Sequence, residues 1–265
     1  MKVLYIICAI LASAMCGQGS VQAPAKGAMR IATYNVGVFS KGGFNSTDMV
    51  ASMVKEMDAS VVSLNELDSC NARHNEFQLR EFARAMGGWD YSYAPAINYL
   101  GGTYGIGIAS RPGLKILRRF SLKLSRADGS EQRALAVCEF ERFVLCSTHL
   151  DHMSKEAQSI QALEINAWIE KTYSRSRKPV FLCGDFNALP DSATIAFLKE
   201  NWTVLSPSGS TYPADRPSKC IDYIMVYKNA ADRVKVTGAQ IPVEFNTGDV
   251  TVASDHLPVY VDVVF

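Results

Sequence analysis

The chain has 265 residues, of which 48% are hydrophobic, 20% charged and 10% aromatic, a composition that excludes a disordered chain or a repeat array and fits one large globular domain. Lys and Arg number 27 against 26 Asp and Glu, and setting aside residues 1–23, which hold one lysine, leaves 26 against 26. That balance argues against a dedicated duplex nucleic-acid binder, because gripping a long polyanion by counterion release usually requires a basic excess.

Residues 1–23 read as a signal peptide. Lys2 precedes an apolar run over 3–12 that is too short to span a hydrocarbon core of ~30 Å, so no transmembrane segment is expected. Val21-Gln22-Ala23 offers one cleavage site and Ala12-Ser13-Ala14 a second. The expected location is secreted or periplasmic. A lipoprotein anchored through Cys16 and a buried N-terminal strand are the alternatives.

Residues 24–265 are expected to form a single domain. It opens with a strand over 30–36, a helix over 49–57, a short buried strand over 60–64 and a helix over 77–86. A strand follows over 104–110, where Gly105 and Gly107 suggest close backbone approach. Two runs, 134–140 and 143–149, make a hairpin across Glu141-Arg142. Apolar spacing at Ile160, Leu163, Ile165, Trp168 and Ile169 predicts a helix over 155–173. A continuous apolar strand is expected over 180–183, a short helix over 193–200, and strands over 221–227 and 259–265. Irregular alternation with one clear antiparallel hairpin predicts mixed sheets with helices outside them, and argues against a barrel of regular βα units. The aromatic group Trp89, Tyr91, Tyr93 and Tyr99 reads as a packing cluster in preference to a substrate wall.

Five of the seven cysteines lie beyond the signal segment. Cys138, Cys146 and Cys183 sit in apolar runs and are expected to behave as small buried hydrophobes. Cys70 and Cys220 fall in polar loops where an oxidising compartment would allow a disulfide, although two unrelated thiols is the favoured reading. No cysteine or histidine spacing suggests structural zinc.

Polar residues recur where apolar strands end: Asn35, Glu66, His149, Asp185 with Asn187, Asp222, and Asp255-His256. Any one of them alone reads as a cap or turn residue. Their recurrence at strand ends, where open α/β folds collect ligand groups, points to one shared site. Carboxylate and amide oxygens are hard ligands suited to Mg²⁺ or Mn²⁺. Phosphoryl transfer needs that charge, a group to orient water, and donors for developing negative charge. A GxSxG elbow and a P-loop are both absent from the sequence.

The segments TYNVG, LNELD, STHLDH, GDFNALPDS, IDYI and SDHLP resemble the motif series of the endonuclease/exonuclease/phosphatase superfamily, in family order across residues 30–262. The resemblance implies a deoxyribonuclease-I-like fold: a four-layer α/β sandwich, two mixed β-sheets packed face to face with helices outside. It implies that Glu66 is the principal metal ligand, with Asn35 and Asp255 binding the ion directly or through water. Asp185 would orient or deprotonate the attacking water, and Asn187 would hold a phosphate oxygen. His256 would act at the phosphate with Asp222 fixing its tautomer, and His149 would donate to a non-bridging oxygen. Arg133 falls where family members often place a phosphate-binding arginine; a surface salt bridge is the competing reading. The digestive deoxyribonuclease branch supports the first histidine with a carboxylate, but the matching slot here looks like Tyr104. Asp151 is then the expected partner of His149, or a second-site ligand.

The expected function is metal-dependent hydrolysis of a phosphomonoester or phosphodiester, small or lipid-linked, by a monomer acting outside the cytoplasm. A secreted nuclease is the alternative of the same class; nucleic acid is not favoured because no DNA-binding loop stands between the motifs. A catalytically silent binding module should have lost Glu66, Asp185 or His256, and all three are present.

Overall fold

The computed structural model describes residues 17–265, so the apolar run over 3–12 and Cys16 lie outside the described residues. In chain order the elements are β1 (Gly17–Ser20), β2 (Met29–Asn35), α1 (Thr47–Glu56), β3 (Val61–Ser69), α2 (Gln78–Ala85), β4 (Asp90–Tyr99) and β5 (Gly102–Ser110). Then come β6 (Arg118–Leu124), β7 (Arg133–Glu139), β8 (Val144–His149), α3 (Lys155–Tyr173), β9 (Val180–Asp185) and α4 (Ala193–Lys199). The last are β10 (Trp202–Val204), β11 (Asp222–Tyr227), β12 (Lys235–Glu244), α5 (Val250–Ala253) and β13 (Val259–Val264).

The strands form two mixed sheets. One has seven strands in the order β1-β12-β13-β2-β3-β5-β4, the other six in the order β10-β11-β9-β8-β7-β6. Alternation along β8 and β9 explains their unbroken apolar runs: Leu145, Phe181 and Cys183 face the other sheet, while Val144, Cys146, Val180 and Leu182 face the outer helices. A strand buried on both faces has no polar phase. Ile165 and Ile169 of α3 and Ile195 and Leu198 of α4 cover the six-stranded sheet; Val50, Met53 and Val54 of α1 and Leu79 and Phe82 of α2 belong to the core around the other. The four layers expected from the family resemblance are therefore present.

Helix α3 covers the residues read from its periodicity, and its start is fixed by Ser154, whose hydroxyl accepts from the Ala157 N–H. The strand expected over 60–64 continues to Ser69 through a bulge between Leu64 and Leu67. Strands β4, β6, β10 and β12 were not anticipated. Of these, β4, β6 and β10 lie at sheet edges, and in β6 exposed and half-buried positions alternate along Arg-Arg-Phe-Ser-Leu-Lys, so no apolar run marks them. The aromatic cluster does pack: Trp89 is in the core and Phe77 makes edge contacts with Tyr91 and Tyr93. Cys70 and Cys220 are both free. Cys220 is buried in the core beneath α3 and α4, whereas Cys70 is exposed beyond β3.

Arg30, near the start of β2 and far from the strand ends described below, is fully buried. Its guanidinium forks onto Asp262 of β13 at 2.7 and 2.8 Å, donates to the carbonyls of Met57 and Gln22, and lies 3.8 Å over the Tyr260 ring. Gln22 thereby ties residues after β1 to the sheet, and β1 itself pairs in parallel with β12. Removing one partner of a buried pair strands the other charge, at a cost of about 3–5 kcal/mol. Arg30→Met should lose that much in urea unfolding, and pairing it with Asp262→Leu should restore most of the loss.

Candidate active site

The polar residues singled out in the sequence meet at one edge of the sandwich. Asn35 ends β2, Glu66 lies in the bulge of β3, and His149 and Asp185 end the parallel strands β8 and β9, paired directly with each other. The antiparallel β11 begins at Asp222 opposite Asp185, and Asp255 and His256 lead into β13, antiparallel to β2. All line or underlie a groove of about 920 Å³ between the two sheets. Two backbone features aim these side chains. Glu66 and Asn187 hold left-handed φ of 58° and 48°, a strained geometry for Glu in particular. Gly184 has φ 139°, and a Cβ there would lie 1.9 Å from the Thr148 carbonyl oxygen, so only glycine lets β9 approach β8 just before Asp185.

On the first sheet, Glu66 and Asp255 converge on Lys41, whose ammonium lies 3.1 Å from Asp255 Oδ2 and 3.9 Å from Glu66 Oε2. Burial works against the charge on Lys41, but the two carboxylates outweigh it and raise its pKa. Asp255 Oδ1 is buried with no hydrogen-bond partner. A positive charge shared by two acids, with a carboxylate oxygen left unsatisfied, is the donor set a hard divalent cation would use. Asn35 turns its amide nitrogen toward this group, donating to Glu66 Oε1 and Asp185 Oδ2 at 3.1 Å each, while its oxygen accepts from the Gly37 N–H. In this arrangement Asn35 has its oxygen turned toward the backbone that follows β2. Its role as placed is to hold the two carboxylates side by side.

On the second sheet, Asp185 is fully buried, accepting from Asn35 and from the Asn187 N–H at 2.8 Å. His256 bridges to it: Nδ1 is 2.9 Å from Asp222 Oδ2 and Nε2 3.6 Å from Asp185 Oδ2. Burial alone would lower the His256 pKa, and Asp222 and Asp185 together reverse that and raise it; burial and Asp222 raise that of Asp185. Thr211 donates to Asp222 Oδ2 at 2.6 Å, fixing the carboxylate that orients His256. Ligand atoms of Asp185, Asp222 and His256 lie within 4.8 Å of one another, close enough to hold an ion. The imidazole is bonded to Asp222 Oδ2 and stands against Asp185, leaving Asp222 Oδ1 buried without a partner, an arrangement suited to orienting and moving a proton.

His149, paired with Asp185 across β8 and β9, places Nε2 3.4 Å from Asp185 Oδ2. Burial, then Arg133, holds its pKa well below the ordinary value. Arg133 is buried, which rules out a surface salt bridge, and its guanidinium contacts His149, His152 and Glu131. Asn187 donates its amide to the Leu150 carbonyl at 3.1 Å and lines the groove. Tyr104 also lines it, with its ring against Tyr99 and 5.7 Å from the Arg73 guanidinium; burial and Glu66 keep the phenol protonated.

Asp151 is not the partner of His149. Its carboxylate faces away and accepts from the backbone N–H of Ser130, Met153 and Ser154 and from the Ser130 hydroxyl, all at 2.8–3.0 Å. It ties the 125–131 loop to the start of α3, which also leaves it no place as a second-site ligand. Sequence reasoning missed Lys41, Asn65, Thr211 and Gln158. Asn65 bridges the sheets, donating to the Thr148 carbonyl at 2.9 Å and accepting from the Asp185 N–H at 3.0 Å. Gln158 donates to the carbonyls of Asp151 and Asn187. Lys41 alone had a readable signal, a cation in the glycine-containing loop that follows the first site strand.

A sequence model of the endonuclease/exonuclease/phosphatase family matches residues 32–256. The chain belongs to this family. Searching curated sequences gives no match. Among solved structures, the family fold recurs in a mannosyl-6-phosphatase from Bacteroides thetaiotaomicron, at 20% identity and TM-score 0.73, over 89% of this chain and all of that one. A family protein from Bacteroides vulgatus aligns at 20% identity and TM-score 0.72, covering 90% of this chain and 99% of its own. ANGEL2, a 2',3'-cyclic phosphatase, aligns at 14% identity and TM-score 0.67, covering 89% and 95%. At these identities the structures speak for the family fold alone.

Burial opposes ionisation of Asp151, but the three N–H donors and the Ser130 hydroxyl hold its pKa at about 2. This lies below the unfolded value of about 3.9, so its contribution is complete above about pH 5 and lost as pH falls from about 4 to about 2. Asp151→Asn should lower stability by about 1–3 kcal/mol at pH 7. In chemical unfolding the gap to wild type should narrow steadily below pH 4.

Proposed function

We propose that this chain is a divalent-metal-dependent phosphoesterase acting on a small or lipid-linked phosphate ester outside the cytoplasm. The observation that carries the reading is the meeting, in one groove, of an acidic pair fit for a cation, Glu66 and Asp255, with a water-orienting and proton-holding set, Asp185, His256 and Asp222. Glu66 and Asp255 would hold Mg²⁺ or Mn²⁺, which when bound supplies Lewis-acid charge to the phosphate's non-bridging oxygens.

The remaining work falls to the chain's own side chains. Asp185, kept in place by Asn35 and the Asn187 N–H, has an oxygen facing the groove that can align a water and take its proton; burial raises its affinity for that proton. His256, oriented through Nδ1 by Asp222 and Thr211, presents Nε2 to the same place and can hold a proton against Asp185. His149 and Asn187 face the groove from β8 and from the turn after β9, in reach of a phosphate oxygen.

The groove charges favour a small substrate. Lys41, Arg133, Lys155 and Lys219 stand against Glu66, Glu131, Asp185, Asp191 and Asp255, so no basic stripe tracks a polynucleotide backbone. Relatives of the same fold that are a mannosyl-6-phosphatase and a 2',3'-cyclic phosphatase support phosphoester chemistry. The location outside the cytoplasm rests on Lys2 and the apolar run over 3–12.

A panel of sugar phosphates, phosphodiesters, phospholipids and plasmid DNA, each with Mg²⁺ or Mn²⁺ and with EDTA, tests the reading. Turnover of a small or lipid phosphoester, abolished by EDTA, is expected; faster degradation of plasmid would replace it with a nuclease. Glu66→Gln should remove both turnover and the rise in melting temperature that Mg²⁺ gives wild type. Asp185→Asn should lower kcat by about 10²–10⁴-fold with a smaller change in KM.

A further inference from the structure

The supporting group behind His149 is a cation. Arg133 Nη1 lies 3.3 Å from His149 Nδ1, and Arg133 Nη2 lies 3.0 Å from His152 Nδ1. A guanidinium has donors and no acceptor, and it stays protonated in proteins. The ring nitrogen facing it must therefore carry a lone pair. In a neutral imidazole the proton then sits on the other nitrogen. We propose that Arg133 is a positioning residue that fixes His149 as a neutral imidazole with its proton on Nε2, directed into the groove.

Burial and the cations around the ring favour this state. The groups facing His149 are Arg133 on β7, Asp185 on β9, His152 in the turn after β8, His256 before β13 and Lys41 after β2, with Glu131 on the far side of the guanidinium. Asp185 Oδ2, 3.4 Å from Nε2, is the one neighbour whose negative charge would favour a second proton, and it stands against the opposing burial and cations. Adding a second proton would place an Nδ1–H against an Arg133 N–H, with His149 itself buried and water unable to dilute the clash. Burial and the nearby positive groups push the same way, lowering the pKa. Arg133 cannot swing aside easily: it is buried and held by Glu131 at 3.5 Å and by His152.

The inference deepens the proposed function, and its catalytic meaning rests on that reading. A neutral Nε2–H lends a hydrogen bond to a phosphate oxygen and keeps its proton. His149 would then stabilise charge without acting as the acid for the leaving group, and Arg133 would contribute through His149 in place of gripping phosphate itself.

Nitrogen-15 NMR of the four histidines in the full chain, with and without Mg²⁺, tests the tautomer without reference to turnover. The His149 signals are assigned by their absence in His149→Asn. The expected result is a neutral ring protonated on Nε2 throughout about pH 5.5–8.5. A proton on Nδ1, or conversion to imidazolium near the ordinary value of about 6.5, would overturn the proposal. In Arg133→Met, the His149 pKa should rise while burial still holds it below the ordinary value, and the acid limb of the kcat profile should shift, with kcat reduced more than KM is raised. An Arg133→Met variant in which KM alone rises, with the tautomer unchanged, would return Arg133 to phosphate binding. Should that variant not fold, the wild-type spectrum alone decides. Inactivity on every phosphoester would sink the functional reading and leave the tautomer result standing.

Discussion

Two sheets packed through apolar side chains have nothing directional to stop one sliding over the other, and the side chain that supplies direction is Asn65. From β3 of one sheet it donates to the Thr148 carbonyl and accepts from the Asp185 N–H of the other, with a second polar link nearby between the Ser63 and Ser147 hydroxyls at 2.7 Å. Glu66 is the next residue along β3, and His149 and Asp185 are the last residues of β8 and β9. The same buried amide that registers the sheets therefore sets the distance between the groups proposed to bind a cation and those proposed to handle water. A buried amide with both ends satisfied is a strong constraint, because any slip leaves polar groups unpaired at a cost of about 1–3 kcal/mol each.

The groove concentrates charge that would be unstable if left alone, and the fold offsets it locally. Lys41 lies between Glu66 and Asp255, Asn35 between Glu66 and Asp185, and His256 between Asp185 and Asp222. The two histidines nearest Asp185 have opposite supports, a carboxylate behind His256 and a guanidinium cation behind His149. Similar rings at similar distances from Asp185 thus acquire different proton affinities, a division produced by second partners and not by the rings themselves.

Much of this was readable in the chain, for physical reasons that also explain what was not. Strands buried on both faces, such as β9, print as continuous apolar runs, and the polar residue that ends each one stands out against them. The helix α3 was bounded by its periodicity and by Ser154. Edge strands such as β6, half wet and short of apolar residues, leave no comparable trace. Residues whose work is to hold others were the hardest to see. Asn65 and Thr211 look like ordinary strand and loop residues until the pairing of two distant segments gives each a partner. Asp151 misled for the converse reason: its neighbourhood in sequence to His149 suggested a contact, while three backbone N–H groups claimed its carboxylate first.

The hydrogen-bond approach of Asn35 to His256 joins residues 221 positions apart. Contacts of such separation form late, because the intervening loop must close before anything is gained. His256 enters the groove only when β13 docks between β2 and β12, inserting a strand into the middle of the seven-stranded sheet. Without that insertion, Asp222 and Asp185 would have no ring to stand between them. The onset of hydrolysis during refolding is therefore a clock for the closing of that sheet, and would lag the appearance of secondary structure.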